Sequence, residues 1–286
     1  VTIPELAPPP RDVVLRDVQR ALDEDMGDGD VTADLLPACA RAQARVITRD
    51  AAVICGRGWV DECFLALDPQ ARIEWQVADG DRASGGTLLC RVEGDARALV
   101  SGERTALNFL QTLSATATVT STYVEAVRGT RAKILDTRKT LPGLRLAQKY
   151  AVRAGGGHNH RIGLFDAVLI KENHIAAAGS IGAAVARARA LHPGLLVETE
   201  VENFQELRDA LDAGVDRIML DEFELHELAH AVAEVAGRVP LEVSGSVSLE
   251  RVRAIAETGV DYISVGALTK HIRAVDLSMR IDIVDR

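Results

Sequence analysis

Apolar positions follow two rhythms along the chain. In Arg11–Asp25, Val14, Leu15, Val18 and Leu22 recur at helical spacing, which predicts an amphipathic helix. Met26-Gly27-Asp28-Gly29-Asp30 breaks it, and Thr32 can help to start the next element. Short strand-like runs follow at Ala44–Thr48, Ala51–Cys55, Arg72–Val77 and Thr87–Val92, with turns at Asp79-Gly80 and Gly85-Gly86. Ser101-Gly102-Glu103-Arg104 then opens a long helix that should reach Val127 and bury Leu107, Leu110, Leu113 and Val119. From Lys133 the pattern becomes regular. Strand-like segments at Lys133–Thr137, Ala167–Ile170, Leu195–Val201, Arg217–Leu220, Leu241–Val243 and Tyr262–Val265 alternate with helical stretches rich in Ala, Leu and Arg. Successive βα units of this kind predict a parallel sheet, and closure into a barrel is the natural expectation.

Composition narrows this picture. Aromatic residues make up only 3% of the 286 residues, so Ala, Val, Leu and Ile must fill the core, which suits packed βα units. The net charge of −9 argues against general nucleic-acid binding, which needs a basic face. It does not exclude a small anionic substrate, because a site responds to its local field. Cys39, Cys55, Cys63 and Cys90 form no CxxC pair and read as free, mostly buried thiols. Pro4, Pro8, Pro9 and Pro10 stand where a signal peptide would be apolar, and no apolar run is long enough to span a membrane. A cytoplasmic enzyme is the expectation.

Polar residues collect where the strands end, which is the face on which βα barrels do chemistry. The first strand ends in Asp136-Thr137-Arg138-Lys139-Thr140 and the second in Lys171-Glu172-Asn173-His174. The third carries Glu198, Glu200 and Glu202 on one face, the fourth ends in Asp221-Glu222, the fifth in Ser244-Gly245-Ser246 and the sixth at Gly266. Arg138, Lys139, Arg161 and Lys171 can orient carboxylates or phosphates, with Arg able to do so bidentately. Glu200 and Asp221 supply hard oxygens suited to Mg²⁺ or to ribose hydroxyls. Ser244-Gly245-Ser246 leads into a helix beginning near Ser248, a natural site for a phosphate. Single loop cations are usually just solvated, but two at the end of one apolar strand, repeated in the next unit, point to a site. His158, His160 and His174 lack the spacing of a zinc site.

Three runs are recognisable: Asp136-Thr-Arg-Lys-Thr, Gly155-Gly-Gly-His-Asn-His-Arg-Ile-Gly-Leu and Ile170-Lys-Glu-Asn-His. Together with Glu24-Asp-Met-Gly-Asp-Gly-Asp-Val-Thr, Glu103-Arg-Thr-Ala-Leu-Asn-Phe-Leu-Gln, Val197-Glu-Thr-Glu-Val-Glu-Asn and Val265-Gly-Ala-Leu-Thr, they resemble the quinolinate phosphoribosyltransferases over nearly the whole chain. The resemblance implies an incomplete α/β barrel over 113–272 and an N-terminal α/β sandwich domain over 1–112, to which the tail 273–286 returns. It implies a homodimer, or a higher assembly of dimers, in which Arg104 reaches the partner subunit's site. Arg138, Lys139, His160, Arg161 and Lys171, beside Thr137, would receive quinolinate. Glu200 and Asp221 would face ribose and Mg²⁺, while Ser244, Gly245, Ser246 and Gly266 surround a phosphate. The implied reaction joins quinolinate to phosphoribosyl pyrophosphate and yields nicotinate mononucleotide, pyrophosphate and CO₂, as in NAD biosynthesis. Lys139 or Lys171 would assist decarboxylation.

The chain departs from the family pattern at three places. Ser246 stands where a second glycine is usual, so a positive φ there would be strained. Ser114-Ala115-Thr116 replaces Ser-Gly-Ile, and Thr199 replaces Val between the two glutamates. Three other readings of the residues stand beside the main one, of which a non-catalytic anion-binding module would leave Glu200 and Asp221 without a clear use. A related phosphoribosyltransferase of the same fold would use another acceptor, although the full basic set favours a dicarboxylate. A Schiff-base lyase would use Lys171 as nucleophile.

Overall fold

The structure is a computed structural model that describes residues 6–284. Helix α1 (Arg11–Met26) is followed by strands β1 (Arg41–Thr48) and β2 (Ala52–Val53), helix α2 (Arg57–Leu67), and strands β3 (Arg72–Trp75), β4 (Arg82–Ala83) and β5 (Leu88–Asp95). The long helix α3 (Ala96–Ala126) leads to β6 (Lys133–Leu135), α4 (Arg145–Ala154), β7 (Val168–Ile170), α5 (Glu172–Ala178) and α6 (Ile181–Leu191). Then come β8 (Val197–Val201), α7 (Phe204–Asp212), β9 (Arg217–Asp221), α8 (Leu225–Val235), β10 (Leu241–Ser244), α9 (Leu249–Glu257), β11 (Tyr262–Ser264), α10 (Ala267–Lys270) and β12 (Leu277–Val284). The chain divides into two compact units. One runs to Ser121 and takes in Thr140–Gly156 and the chain from Thr269; the other holds Thr122–Lys139 and Gly157–Leu268.

In the first unit an antiparallel sheet has the order β12-β1-β5-β3. Along β1, Ala42, Ala44, Val46 and Thr48 point inward and the residues between them do not, which is the period of a half-buried strand. Ala42, Ala44 and Val46 share a core with Val14, Val18 and Leu22 of α1, Trp59 and Phe64 of α2, and Leu110 and Leu113 of α3. Leu15, expected on the same face as Val14, is 41% exposed; one step of about 100° along a helix carries it off the buried stripe. Val119 is only half-buried. Helix α3 starts ahead of Ser101 because Asp95 Oδ1 accepts a hydrogen bond from the Ala98 amide at 3.0 Å, the work of an N-terminal cap. Gly102 then lets α3 lie close to α2, for a Cβ there would stand 3.1 Å from Leu67 and 3.2 Å from Phe64. Strand β12 pairs antiparallel with β1, from Arg41 opposite Val284 to Thr48 opposite Leu277. Cys55, Cys63 and Cys90 are buried free thiols, while Cys39 is free and exposed.

The second unit is built on a six-stranded parallel sheet of order β6-β11-β10-β9-β8-β7. Its central strands read as apolar runs, such as Ile218-Met219-Leu220, because both faces are covered. The expected closure does not occur: β6 and β7 are the two edges among the described residues. The free side of β6 is taken by His158, whose amide donates to Ile134 O at 2.9 Å and whose carbonyl accepts from the Asp136 amide at 3.1 Å. That stretch occupies the hydrogen-bonding groups through which a closing strand would pair. Register places Asp221 of β9 level with Ser244 of β10, and Val201 of β8 level with Leu220. Carboxylates and the Ser-Gly turn therefore end at the same height. Among the described residues, no helix is long and apolar enough to cross a membrane.

Candidate active site

The mouth of the second unit begins at β6. Asp136, wholly buried, accepts from the His160 amide at 2.9 Å and from the Asn159 side-chain amide at 2.5 Å, so it pins the following loop to the strand end. The Thr137 hydroxyl accepts from the Lys139 amide at 3.0 Å and shapes the turn that carries Arg138 and Lys139. Beyond the loop, Asp166 receives the amides of Ile162 and Gly163 at 2.7 and 2.9 Å. Arg161 stands between these two anchors, its guanidinium donating to Ala167 O at 3.4 Å. Burial lowers the pKa of Arg161 and the neighbouring charge of Arg138 lowers it further, while Glu198 and Asp166 act in the opposite sense. Two guanidinium groups thus lie within one another's field at one strand-end loop cluster, where an anion would relieve their repulsion.

Lys171, at the end of β7, pairs with Glu200 of β8, and its backbone amide donates to His174 Nδ1 at 3.0 Å at the start of α5. Glu198 and Glu200 of β8 and Glu202 just beyond it grade from buried through half-exposed to exposed. Burial raises the pKa of Asp221 and the adjacent Glu222 raises it further, whereas Lys171 and Lys139 lower it. Both lysines therefore act on the same carboxylate. Glu222 has φ +55°, and Gly245 and Ser246 have φ +84° and +26°. A Cβ at Gly245 would meet Glu222 Oε1 at 2.5 Å and Asp221 Oδ1 at 3.2 Å, so the turn after β10 admits only glycine there. Ser246 does adopt the left-handed conformation that its identity makes strained. Its hydroxyl donates to Glu222 Oε1 at 3.5 Å. Ser248 is the residue before α9, where a helix start was expected, and Gly266 follows β11.

The second unit thus brings Thr137, Arg138, Lys139, Arg161, Lys171, Glu200, Asp221, Ser244, Gly245, Ser246 and Gly266 to the C-terminal ends of its strands. Arg104 belongs to the first unit and is exposed on α3. His160 behaves differently from its neighbours. Its side chain is only 8% exposed and turns inward: Nδ1 accepts from the Arg161 amide at 2.7 Å, and Nε2 lies 2.9 Å from Glu198 Oε2 and 3.5 Å from Glu242 Oε2. Arg217 donates to Glu242 Oε2 at 3.0 Å, and its guanidinium lies 4.4 Å from the centre of the Tyr262 ring. Burial and the charge of Glu198 push the Glu242 carboxyl up to about 8. Sequence reasoning singled out neither Glu242 nor Arg217. The signal was present as a carboxylate inside the apolar strand Leu241-Glu242-Val243, a residue that is rarely buried without a partner. His158 and His174 are exposed, and among the described residues the histidine-containing group at metal-ligand distances is His160, Glu198 and Glu242.

An α/β sheet whose strand ends gather guanidinium, ammonium and carboxylate groups beside a glycine turn defines an enzyme of anionic substrates. Residues 30–114 match the quinolinate phosphoribosyl transferase N-terminal domain, and residues 116–280 match the C-terminal domain. The chain belongs to the quinolinate phosphoribosyltransferase family. It is 44% identical to a nicotinate-nucleotide pyrophosphorylase (carboxylating) of Mycobacterium leprae, over 92% of this chain and 95% of that one. A quinolinate phosphoribosyltransferase (decarboxylating) of Nicotiana glauca is 40% identical over 93% of this chain and 81% of its own length. The solved structure of the nicotinate-nucleotide pyrophosphorylase from Francisella tularensis superposes with a TM-score of 0.92 at 46% identity, covering 96% of this chain and 97% of that one.

Proposed function

We propose that this chain transfers the phosphoribosyl group of phosphoribosyl pyrophosphate to quinolinate and releases pyrophosphate and CO₂, giving nicotinate mononucleotide. The observation that carries this reading is the gathering of Arg138, Lys139, Arg161 and Lys171 at successive strand ends, with Glu200 and Asp221 on the next strands. A dicarboxylate satisfies the two guanidinium groups, and Lys171 turns from Glu200 to a substrate oxygen. Lys171 is engaged by the Glu200 carboxylate rather than set alone in an apolar pocket, which argues against a Schiff-base nucleophile.

The oxygens of Asp221 and Glu222 crowd the space that a side chain at Gly245 would fill, and burial, followed by the like charge of Glu222, raises the Asp221 pKa. Hard oxygens held in this way fit Mg²⁺, and Glu200 and Asp221 would hold it. When bound, Mg²⁺ would neutralise charge on the leaving pyrophosphate. The C–O bond to pyrophosphate breaks, leaving an oxocarbenium-like anomeric carbon that Glu200 and Asp221 stabilise. Clamping both acceptor carboxylates aims the ring nitrogen, whose lone pair forms the new bond. The adjacent carboxylate then leaves as CO₂, its electron pair stays on the ring carbon, stabilised by the pyridinium, and a proton from water completes the product. Ser244, Gly245, Ser246 and Gly266 surround the 5-phosphate. The protein works as a cytoplasmic homodimer, with Arg104 of each subunit completing the other's site.

Arg161→Ala tests the acceptor role. It should raise the quinolinate KM by about 100-fold, the scale of a lost charge-assisted bidentate contact, while the sugar pyrophosphate KM changes little. An equal rise in both constants would remove Arg161 from the acceptor site.

A further inference from the structure

Arg161 sits on a loop, yet the proposed reaction needs its guanidinium held in place. The residue before it supplies a link to the sheet. His160 Nδ1 accepts the Arg161 backbone N–H at 2.7 Å, so the ring plane fixes how the chain enters Arg161. Because Nδ1 is the acceptor, the ring proton is on Nε2, which faces Glu198 at 2.9 Å and Glu242 at 3.5 Å. Both carboxylate side chains are 1% exposed or less. Glu242 is held in turn by Arg217 at 3.0 Å, under the Tyr262 ring. The linked side chains come from β8, β9, β10 and β11, four neighbouring strands of one sheet.

The same three ligand-type residues satisfy the spacing of a metal site. Charge decides against it. Arg217 already stands against Glu242, and Arg161 lies within the field of Glu198, so two guanidinium groups already serve the two carboxyl groups. A dication would enter a cluster that has no negative charge left to give.

We infer that Glu242 is a positioning residue for the acceptor site, holding the His160 ring together with Glu198 so that the ring in turn sets the place of Arg161. This rests on the acceptor reading of Arg161 given above. Glu242 touches no reacting atom. Its influence falls on acceptor binding, and the sugar pyrophosphate is spared.

The test uses the full chain with Glu242→Asp and Glu242→Gln, together with ¹⁵N spectra of the histidine side chains, His160 being assigned with His160→Gln. In the wild type, His160 should show a bare Nδ1 and a protonated Nε2. Glu242→Asp withdraws the carboxylate by one methylene, and the quinolinate KM should rise about tenfold or more, as displacements near 1 Å do. The KM for phosphoribosyl pyrophosphate should stay within about twofold. Glu242→Gln keeps the length and an acceptor for Arg217, and should stay within about threefold of wild type on all constants. An unchanged quinolinate KM in Glu242→Asp, a parallel change in every constant, or a proton on Nδ1 would overturn the inference. If Glu242→Asp does not fold, the wild-type spectrum and the Gln variant decide. A wild type that never consumes quinolinate defeats the proposed function instead, and the histidine spectra still judge the link from Glu242 through His160.

Discussion

At the residue scale, the candidate site divides by how its charges are compensated. Arg138 and Arg161 repel one another at the mouth, whereas Glu242 is compensated inside the sheet by Arg217 and by keeping a proton. The second state has a measurable sign. The Glu242 carboxyl titrates near 8 in the folded protein, in company with Glu198, His160, Arg217 and Ser264, and in the ordinary carboxylate range when unfolded. As pH rises between those two values the unfolded chain gives up a proton that the folded protein retains. The stabilisation from this group is therefore complete at low pH and is lost as pH climbs through about 8. Urea midpoints measured from pH 5 to pH 8.5 should fall for the wild type and fall less for Glu242→Gln. Equal slopes would remove the proton from Glu242. Mouth residues such as Arg138, Lys171 and Asp221 were legible in the sequence because cations and acids recur at the ends of apolar strands. Glu242 and Arg217 were not, since their partners come from other strands and only the folded register brings them together.

At the element scale, the strands and helices of the second unit match the expected segments closely, because long apolar runs and regular helices report themselves. Boundaries set by tertiary contacts were less visible. Helix α3 begins at Ala96, where Asp95 caps it, and Ser101-Gly102 lies inside it. Helix α2 was missed, as its Gly56-Arg57-Gly58-Trp59 entry reads as a turn, and its buried Trp59, Val60, Cys63 and Phe64 show a helical face only once α1 and α3 are in place. Strand β12 was missed because its alternation is weak: Ile281 is half-buried while Ile283 is 48% exposed. Barrel closure was expected from the βα rhythm, which carries no information about His158 taking the edge of β6. The α2–α3 contact makes its own prediction. Gly102→Ala adds a methyl against Phe64 and Leu67, and overpacking there should destabilise the protein by about 1–3 kcal/mol, read from denaturant midpoints. A gain in stability, as expected of Ala in an exposed helix, would show that the helices are not that close.

At the scale of the whole molecule, a chain of net charge −9 presents its cations where strand ends meet, so an acidic protein can still receive an anionic substrate. If Arg104 completes the site of a second copy, two inactive variants should help one another. Arg104→Ala and Lys139→Ala, each inactive alone, should regain activity when mixed. Random pairing of equal amounts gives about a quarter of the sites all their residues. No recovery after proven subunit exchange would place Arg104 outside a shared site. The central claim concerns the reaction itself. Purified protein, quinolinate labelled in the carboxylate next to the ring nitrogen, phosphoribosyl pyrophosphate and Mg²⁺ should release labelled CO₂ and form nicotinate mononucleotide in equal amounts. Folded protein that binds both substrates yet releases no labelled CO₂, or forms a nucleotide that retains the label, would contradict the account.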